Sequence, residues 1–493
     1  MSNTNTARFV LPAIVAASLS ACAVGPTFRA PSIAAPNGYR APHTSAHLGS
    51  RAAPAASRSA ARSYAQHLVL GRNPSAEWWS SFHSPALNAL VASAVAHNPS
   101  LVAARARVAA ARELVRADAG RLDPQVSFIG GAGRQKVGSE QLGSLHNPAF
   151  SYVAAGAAVS YTLDYVGGIA RSVEERRALA TYQRCEARAV YLSLTGSVVR
   201  EALQAAAART ELRAVAELLS EDRRNLVLVR SAFRAGSVSR VDVVSAQSQL
   251  AADETLLPAL RQQLAVARHA LAVLTARFPA QWQPPALALS QLTLPRRIPL
   301  SLPSSLVQRR PDILAAEAQL HAATAAVGVA TANLYPHITL TAAGGWQGLV
   351  GQALFERSNA AWSLLSGLTA PLFDGGSLRA ERRASLDRLR ASAADYQAVV
   401  LESFGQVADA LDALQHDAEM VSAQSNALQA ARARVALTRE SYRAGKTGIL
   451  QVLDAERQRL SARLGVLRAE AQQYYDTTQL YLALGGSAPQ EAS

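Results

Sequence analysis

The sequence predicts a mainly α-helical protein that also contains transmembrane β-strands and is built from an internal duplication. Asn98-Pro99 is matched by Arg310-Pro311 about 210 residues later, and Phe233-Arg-Ala-Gly236 is matched by Tyr442-Arg-Ala-Gly445 at nearly the same offset. Both copies contain a pair of strand-like stretches and one helical stretch of about 65 residues. A nearly constant offset across different kinds of predicted structure indicates that each half forms the same unit. The predicted repeats comprise residues 77–277 and 304–486.

The N-terminus has the layout of a secretion signal that ends in a cysteine. Arg8 precedes the apolar run Phe9–Leu19, which is too short to span a membrane, and small residues fill the two positions before Cys22. This layout predicts a lipoprotein signal peptide over residues 1–21, with Cys22 as the first mature residue and the site of lipid attachment. An ordinary secretory signal with a coincidental cysteine is the alternative interpretation. Ala23, in place of an aspartate, resembles lipoproteins that are sent to the outer membrane.

The segment after the signal carries little periodicity. Residues 22–76 are rich in proline, alanine, serine and arginine, so we predict a lipidated extended arm or linker. Helical periodicity begins after Trp78-Trp79, with Pro85 suited to a first helical turn. Asn98-Pro99 interrupts this helix, and a second helix is predicted from Leu101 to about Ala119.

Four later stretches alternate between apolar residues and small or polar residues, which is the pattern of a β-barrel wall. In one of them Val153, Val159 and Leu163 fall on one face, while Gly156 and Ser160 fall on the other. Aromatic residues stand near the strand ends, as an interfacial girdle requires. A soluble antiparallel sheet with one wet face is the alternative interpretation. The predicted strands cover residues 124–134, 150–164, 336–346 and 360–373.

Four strands are too few to close a barrel, and an open edge in lipid leaves backbone groups unpaired at several kcal/mol each. The chain is therefore expected to oligomerise. The smallest common membrane barrels have about eight strands, so two copies suffice arithmetically, and three copies give about twelve strands. The residues alone do not choose between these two assemblies.

Two proline-free stretches, residues 167–232 and 376–441, predict helices of about 100 Å. The second has the three-four apolar spacing of a coiled coil, with one phase correction. Gly236 and Gly445 are suited to the left-handed conformation that closes a helix. The chain is then predicted to return through residues 241–277 and 449–484, which makes two long hairpins with apices far from the strands.

The remaining segments are a proline-rich connector and a short tail. Residues 278–303 contain six prolines, which forbid a regular helix and predict a connector between the repeats. Residues 487–493 are predicted to be a C-terminal tail. The predicted hairpins would extend the membrane barrel as a helical tube in the periplasm.

Composition argues against several classes of function. The formal charge of +14 raises nucleic-acid binding, but only Lys136 and Lys446 of the 49 basic residues are lysines. The arginines are dispersed along helices, which is typical of a GC-rich genome, so no nucleic-acid partner is predicted. Cys185 is the only cysteine besides Cys22, which excludes an intramolecular disulfide once Cys22 is acylated. No metal-ligand spacing or catalytic motif stands out, so we predict neither an enzyme, nor a metal site, nor a cofactor other than the covalent lipid.

With these features in place, the chain resembles the outer-membrane factor family of TolC-like efflux proteins, and specifically its lipoprotein branch. The resemblance covers essentially the whole mature chain, and its motifs are individually weak and jointly specific. They are Cys22-Ala-Val-Gly-Pro26, Trp78-Trp79 followed by Phe82 and Leu87, Asn98-Pro99, Pro371-Leu-Phe-Asp-Gly-Gly376, and Tyr442-Arg-Ala-Gly445 through Val452-Leu453-Asp454-Ala455.

The resemblance implies a homotrimer in which four strands from each copy form one twelve-stranded barrel, continued by an α-helical coiled-coil barrel that closes in the periplasm. Such proteins are passive exit ducts in the bacterial outer membrane. An inner-membrane pump supplies the energy, and a periplasmic adaptor docks on the hairpins. The implied function is export of drugs or other small toxic compounds.

The same resemblance assigns a periplasmic gate. Asp454 matches an acid of the ring around the narrowest opening, and Gln451 occupies the place of a second acid, so three carboxylates are expected rather than six. Such a ring favours cation occupancy, protonation or outward movement of the helices. Asp242 matches an acidic member of the closing network and Tyr442 its aromatic partner. An ordinary acid in the first turn of a helix is the alternative for both aspartates. The predicted adaptor contacts are Gly236, Gly445, Lys446 and Thr447.

Two other functions remain open at this stage. A related duct could serve a type I protein secretion system, which only the neighbouring pump would reveal. A lipid-anchored periplasmic coiled-coil adaptor that forms no channel belongs to a different class. Adaptors lack two pairs of alternating strands capped by aromatic residues, so the strands favour the duct.

Overall fold

The computed structural model describes residues 23–31, 39, 66–136, 149–349 and 354–486. The predicted signal, Cys22 and the tail 487–493 lie outside these residues. Backbone contacts divide the chain into two units. The first comprises Met1–Ser32, Ala106–Arg184 and Ala315–Gln397, and the second comprises Ile33–Arg105, Cys185–Leu314 and Ala398–Ser493.

The first unit contains an antiparallel sheet to which each repeat contributes two strands. The strand order is β2-β3-β5-β6, so β2 and β6 form the edges. The final strand ends before residue 373, where it was predicted to end, because Pro371 has no N–H to donate to a neighbour. The strands are β2 (Gln125–Gln135), β3 (Phe150–Leu163), β5 (His337–Leu349) and β6 (Ala360–Thr369).

The strand register places most of the large apolar residues of the four strands on one face, with Ile129 and Leu365 among the exceptions. Phe128 lies opposite Ala157, Ala157 opposite Gly344, and Gly344 opposite Trp362. The other face carries small and polar residues, including Ser160 and Thr341. The predicted alternation is therefore confirmed. The most exposed apolar side chains of this face lie on the edge strands: Val126, Phe128, Trp362, Leu364 and Leu368.

Two glycines on the small-residue face allow β3 and β5 to approach closely. Gly156 lies directly opposite Gly345. A Cβ added to Gly156 would stand 2.5 Å from the carbonyl oxygen of Gly344, and one added to Gly345 would overlap the backbone of Ala155. Backbone atoms cannot rotate away as a side chain can, so a larger residue at either position would push the strands apart.

Each strand pair leads into a long helix through the same cap, which is a further sign of the duplication. Asp164 accepts hydrogen bonds from the backbone N–H groups of Ile169 and Ala170. Asp374 accepts them from Gly376 and Leu378 in the second repeat. A carboxylate is favoured at a helix N-terminus because it satisfies free N–H groups and complements the helix dipole.

The long helices are α3 (Gly168–Arg234) and α8 (Ser377–Arg443), each 67 residues long. Both agree with the predicted spans to within two residues. The predicted coiled-coil seam of α8 is buried from Tyr396 onwards, except for partly buried Phe404. The buried seam residues are Tyr396, Val400, Val407, Leu411, Leu414, Ala418 and Val421.

The return path of the first hairpin differs from its prediction. We expected one helix over residues 241–277, but the structure has α4 (Arg240–Glu254) and α5 (Leu256–Leu274), separated at Thr255. Pro258 is the reason, because it lacks the N–H that would bond to the carbonyl of Glu254. The second return helix, α9 (Ile449–Ala483), is continuous as predicted.

The second unit also contains a small sheet that the sequence analysis missed. Strand β1 (His67–Leu70) from the predicted arm pairs in parallel with β4 (Arg297–Leu300) from the predicted connector. The Gln66 side chain, which is buried, donates to the carbonyl of Pro295 at 2.9 Å and to the hydroxyl of Thr477 at 3.1 Å. Arm and connector are thus joined to each other and to α9.

The remaining helices are α1 (Pro85–His97), α2 (Pro99–Ala119), α6 (Pro303–Val307) and α7 (Pro311–Ala332). Of the helices described, α7 alone is long and apolar enough to cross a membrane, with a mean hydropathy of 1.3 and half of that stretch buried. Arg310 precedes it and is buried; its guanidinium donates to the carbonyl of Ala483 at 2.8 Å and to Gln406 at 2.6 Å. A charge-assisted hydrogen bond therefore fixes the start of α7 to the end of α9.

We expect Gly345→Val to prevent most of the protein molecules from forming a folded barrel, because the new side chain would separate β3 from β5. The measurement is the fraction that migrates as the compact form on gels without heating. Gly344→Val is the matched control, since a Cβ at Gly344 meets nothing within 4 Å. Equal loss in both variants would contradict this explanation.

Candidate functional site: the tips of the helical hairpins

Both hairpins turn through the same glycine-containing motif. Gly236 has φ +72° and Gly445 has φ +70°, in the left-handed region that favours glycine. In the first hairpin the N–H of Ser237 bonds to the carbonyl of Ala232, and in the second the N–H of Lys446 bonds to that of Ser441. These bonds satisfy carbonyls at the helix ends, as in a Schellman motif. The predicted helix-closing conformation of both glycines is therefore confirmed.

The two tips line one open cavity of about 820 Å³. Tyr442, Arg443 and Thr447 line it from the second hairpin, while Asp242 and Val238 line it from the first. The Thr447 hydroxyl has no hydrogen-bond partner among the described residues, although the atom itself is buried. Lys446 stands exposed beside these residues. The structure thus brings most of the predicted gate and contact residues to one place.

Asp242 has a clear local role at the start of α4. Its carboxylate accepts a hydrogen bond from the backbone N–H of Ser239 at 2.8 Å and from the Ser239 hydroxyl at 2.7 Å. The Ser239 side chain in turn accepts from the N–H of Asp242, which completes a capping box. Tyr442 lines the same cavity. A role for these two residues in closing the gate stays a prediction.

Asp454 is held by two arginines. Its carboxylate accepts from Arg434 of α8 at 2.8 Å and from Arg457, one turn further along α9, at 3.4 Å. The amide of Gln458 also donates to it. Gln451 is exposed in the first turn of α9. The predicted ring acid therefore carries its own counter-ions, which the sequence analysis did not foresee.

A buried carboxylate next to Asp454 ties the second hairpin to the first. Glu456 is 2% exposed and pairs with Arg439 of α8 and with Arg459, whose Nε lies 2.8 Å away. Arg459 also donates to Glu221 of α3 at 2.7 Å. Two further ion pairs continue this contact along α3 and α9: Arg463 with Glu217, and Arg468 with Glu211.

Apolar contacts join the same helices. Leu226 and Val229 of α3, together with Ala246 of α4, pack against Ile449 and Val452 of α9. A second cluster lies further along α3. Its buried members are Ala214, Val215, Leu218, Leu219, Leu260, Leu460 and Leu464. Helix α3 is thus the common partner of its own return helix and of α9.

Two aspartates share a buried position between α3 and its return helix. Asp222 and Asp253 are 4% and 7% exposed, and the buried Oδ2 atom of Asp222 has no hydrogen-bond partner among the described residues. Burial, and then the negative charge of Asp253, raises the pKa of Asp222 to about 7. A protonated Asp222 can donate to Asp253, whereas two ionised carboxylates would repel.

Sequence reasoning missed Arg434, Glu456, Asp222 and Asp253. The sequence did contain a signal for Arg434. Arg434 and Asp454 are equally far along the chain from Ala444, so an antiparallel turn there places them opposite each other. The buried acids gave no comparable signal, since apolar periodicity marks the packed face of a helix and not the polar residues within it.

The chain segment next to Cys22 is fixed in the first unit. The N–H of Val24 bonds to the carbonyl of Val166 at 3.0 Å, and the Arg171 guanidinium donates to the carbonyl of Val24 at 3.2 Å. Gly25 has φ +94° and touches Gly328 so closely that a Cβ there would stand 2.5 Å from the Gly328 Cα. Cys22 itself lies outside the described residues.

Solved structures define the class of protein. The outer-membrane channel OprN matches with a TM-score of 0.84 and 28% identity, over 95% of this chain and 100% of that chain. The open state of the Neisseria gonorrhoeae MtrE outer membrane channel matches with a TM-score of 0.76 and 25% identity, over 96% of this chain and 100% of that chain. The fold is that of an outer-membrane channel.

The family follows from the sequence comparisons. A model described as outer membrane efflux protein matches residues 90–277 and 302–486. The pyoverdine export outer membrane protein OpmQ of Pseudomonas putida is 33% identical over 88% of this chain and 92% of its own length. The probable efflux pump outer membrane protein TtgC of the same species is 30% identical over 83% of this chain and 84% of its length. The chain belongs to the outer membrane efflux protein family, which confirms the resemblance and the predicted duct.

Among the described residues no group of three or more His, Cys, Asp or Glu side chains is placed to hold a metal ion. The polar chemistry of the tips consists instead of ion pairs, helix caps and one buried pair of aspartates. These groups can hold helices together or release them, and they can set the charge that a passing solute meets.

We expect Asp222→Asn to remove part of the pH dependence of stability. The folded chain binds the Asp222 proton more tightly than the unfolded chain, so this stabilisation is complete below the ordinary pKa of aspartate and is lost as the pH rises through about 7. Asparagine mimics the protonated form and keeps a donor for Asp253. The thermal unfolding temperature of the detergent-solubilised protein, measured from pH 5 to pH 8, should fall less steeply in the variant than in the wild type.

The exposed Asp409→Asn on α8 is the control and should keep the wild-type slope. If the unfolding temperature of Asp222→Asn fell as steeply with pH as that of the wild type, protonation of Asp222 would not stabilise the hairpin.

Proposed function

We propose that three copies of this chain form the outer-membrane exit duct of a tripartite efflux system and pass small organic compounds from the periplasm to the exterior. The observation that carries the proposal is a four-stranded sheet with one mainly apolar face and two edges, β2 and β6, that no other described strand pairs with. In lipid each unpaired backbone group costs several kcal/mol. Pairing of β2 in one copy with β6 in the next removes both edges, and three copies provide about twelve strands.

The trimer is also supported by the exposure of the edge strands. Every residue of β6 is exposed in the single chain, on both faces of the strand. Side chains such as Trp362 and Leu368 fit a lipid-facing surface, while Ser363 and Gly367 on the other face fit a water-filled lumen. A strand of this composition is suited to a barrel wall in which it has a neighbouring strand on each side.

The residues at the hairpin tips suggest the partners of the duct. An energised inner-membrane pump and a periplasmic adaptor would complete the system, with the adaptor docking at Gly236, Gly445, Lys446 and Thr447. The open cavity between the tips, the unpartnered Thr447 hydroxyl and the exposed Lys446 support this location. Opening would separate the tip of the second hairpin from its neighbours, with Asp454, Gln451, Asp242 and Tyr442 around the aperture.

The transported compounds are proposed as a class only. Relatives are named for pyoverdine export in OpmQ and for toluene and antibiotic efflux in TtgC and ArpC of Pseudomonas putida. These names span pyoverdine, antibiotics and toluene. A wide, water-filled duct that follows a selective pump accounts for such a range, because the pump would make the main selection among compounds.

The proposed duct is testable in planar lipid bilayers. The purified protein should insert and produce discrete conductance steps, and it should migrate faster on gels before heating. A folded protein that inserts and conducts nothing would contradict the proposal and would favour an anchored coiled-coil adaptor.

Lipid attachment at Cys22 is proposed from the signal layout and supported by the fixed segment that begins at Ala23. We expect Cys22→Ser to abolish labelling with radioactive palmitate, because the acylated thiol is gone, while conductance of the purified protein stays within about twofold of wild type. Cys185→Ser, which alters a buried cysteine in α3, is the control and should label normally. Persisting label in the Cys22 variant would place the lipid elsewhere.

A further inference from the structure

The hairpin tips carry an excess of positive charge. Residues 221–255 and 430–460, which form the ends of both hairpins, contain twelve basic and eight acidic residues. Several of the acids already form ion pairs: Glu456 with Arg439 and Arg459, and Glu254 with Arg223. A solute that approaches this end of the molecule therefore meets a positive field.

The charge is most evident at the position where the sequence predicted a ring of negative charge. Asp454 is bound by Arg434 and Arg457, so the local sum is one positive charge. The three side chains are 39%, 47% and 59% exposed, in that order, so a passing solute can sense them. Gln451, one turn earlier on α9, adds no charge.

Geometry makes Arg434 the decisive partner. It reaches Asp454 from the opposite helix of the hairpin at 2.8 Å and also donates to Gln458, so it is held from two sides. Arg457 lies on the same helix as Asp454 at a longer distance of 3.4 Å. Removing Arg434 would leave Asp454 with only the weaker of its two counter-ions.

We propose that the aperture formed by the hairpin tips prefers anionic compounds, and that Arg434 sets this preference by neutralising Asp454 while Arg457 remains as surplus positive charge. This inference rests on the proposed function, because an aperture exists only in the assembled duct. The favoured compounds are small organic anions that bear carboxylate, sulfonate or phosphate groups. Guanidinium groups bind such oxygens through paired hydrogen bonds.

The test is ion selectivity of the full-length protein in planar bilayers under a tenfold KCl gradient. The wild-type reversal potential should give a chloride-to-potassium permeability ratio above one. Arg434→Gln should lower the ratio several-fold, because it exposes the Asp454 carboxylate. Asp454→Asn should raise it, because two arginines then lack a counter-ion, and the double variant should lie between the single variants.

The matched control is Arg116→Gln, which frees the exposed Glu113 of α2 in the same way but outside the tips, and it should leave the ratio unchanged. Two failures are distinguishable. Absence of any conductance overturns the proposed duct and this inference with it. A conducting wild type that prefers potassium, or a ratio that Arg434→Gln and Asp454→Asn fail to move in opposite directions, overturns the inference and leaves the duct in place.

Discussion

The unpaired backbone along the outer edges of β2 and β6 is the constraint on which the rest of this structure depends. The sheet presents an apolar face that only lipid can cover, yet it also presents two rows of N–H and C=O groups that lipid cannot satisfy. One chain has no remedy, since its four strands are too few to close a barrel. Identical copies resolve the conflict, and the duplicated design supplies each copy with the same strand–helix unit twice.

The helical part is held together by two kinds of contact. Helix α3 holds α9 through apolar clusters and through a series of arginine–glutamate pairs. Apolar packing gives stability, whereas partly exposed ion pairs contribute little each and respond to ionic strength. Protonation of the buried Asp222, whose pKa is raised by burial to about 7, adds stabilisation that is lost as the pH rises. Such a seam can yield at its tip without unfolding along its length.

Much of the fold was predictable because the sequences of membrane strands and long coiled-coil helices repeat with simple periods that reflect what each face contacts. The strands alternate because one face meets lipid, and α8 repeats every three or four residues because one side of it is packed from Tyr396 onwards. Strands β1 and β4 were missed because four residues are too few to show a period, and the break at Thr255 required attention to Pro258. The counter-ions of Asp454 were missed because an ion pair depends on the register between two helices. Sequence resemblance singled out the acid but could not supply its partner.

The most direct measurement of the central claim is disulfide cross-linking between β2 and β6. In one chain these edges are separated by β3 and β5, which puts them about 14 Å apart and beyond the reach of a disulfide. With Cys185 replaced by serine, Ser127→Cys on β2 would be combined with single cysteines scanned along β6 and oxidised in the membrane. The account predicts at least one position that yields covalent trimers and nothing larger. Monomers alone at every position, from protein embedded in the bilayer, would contradict it.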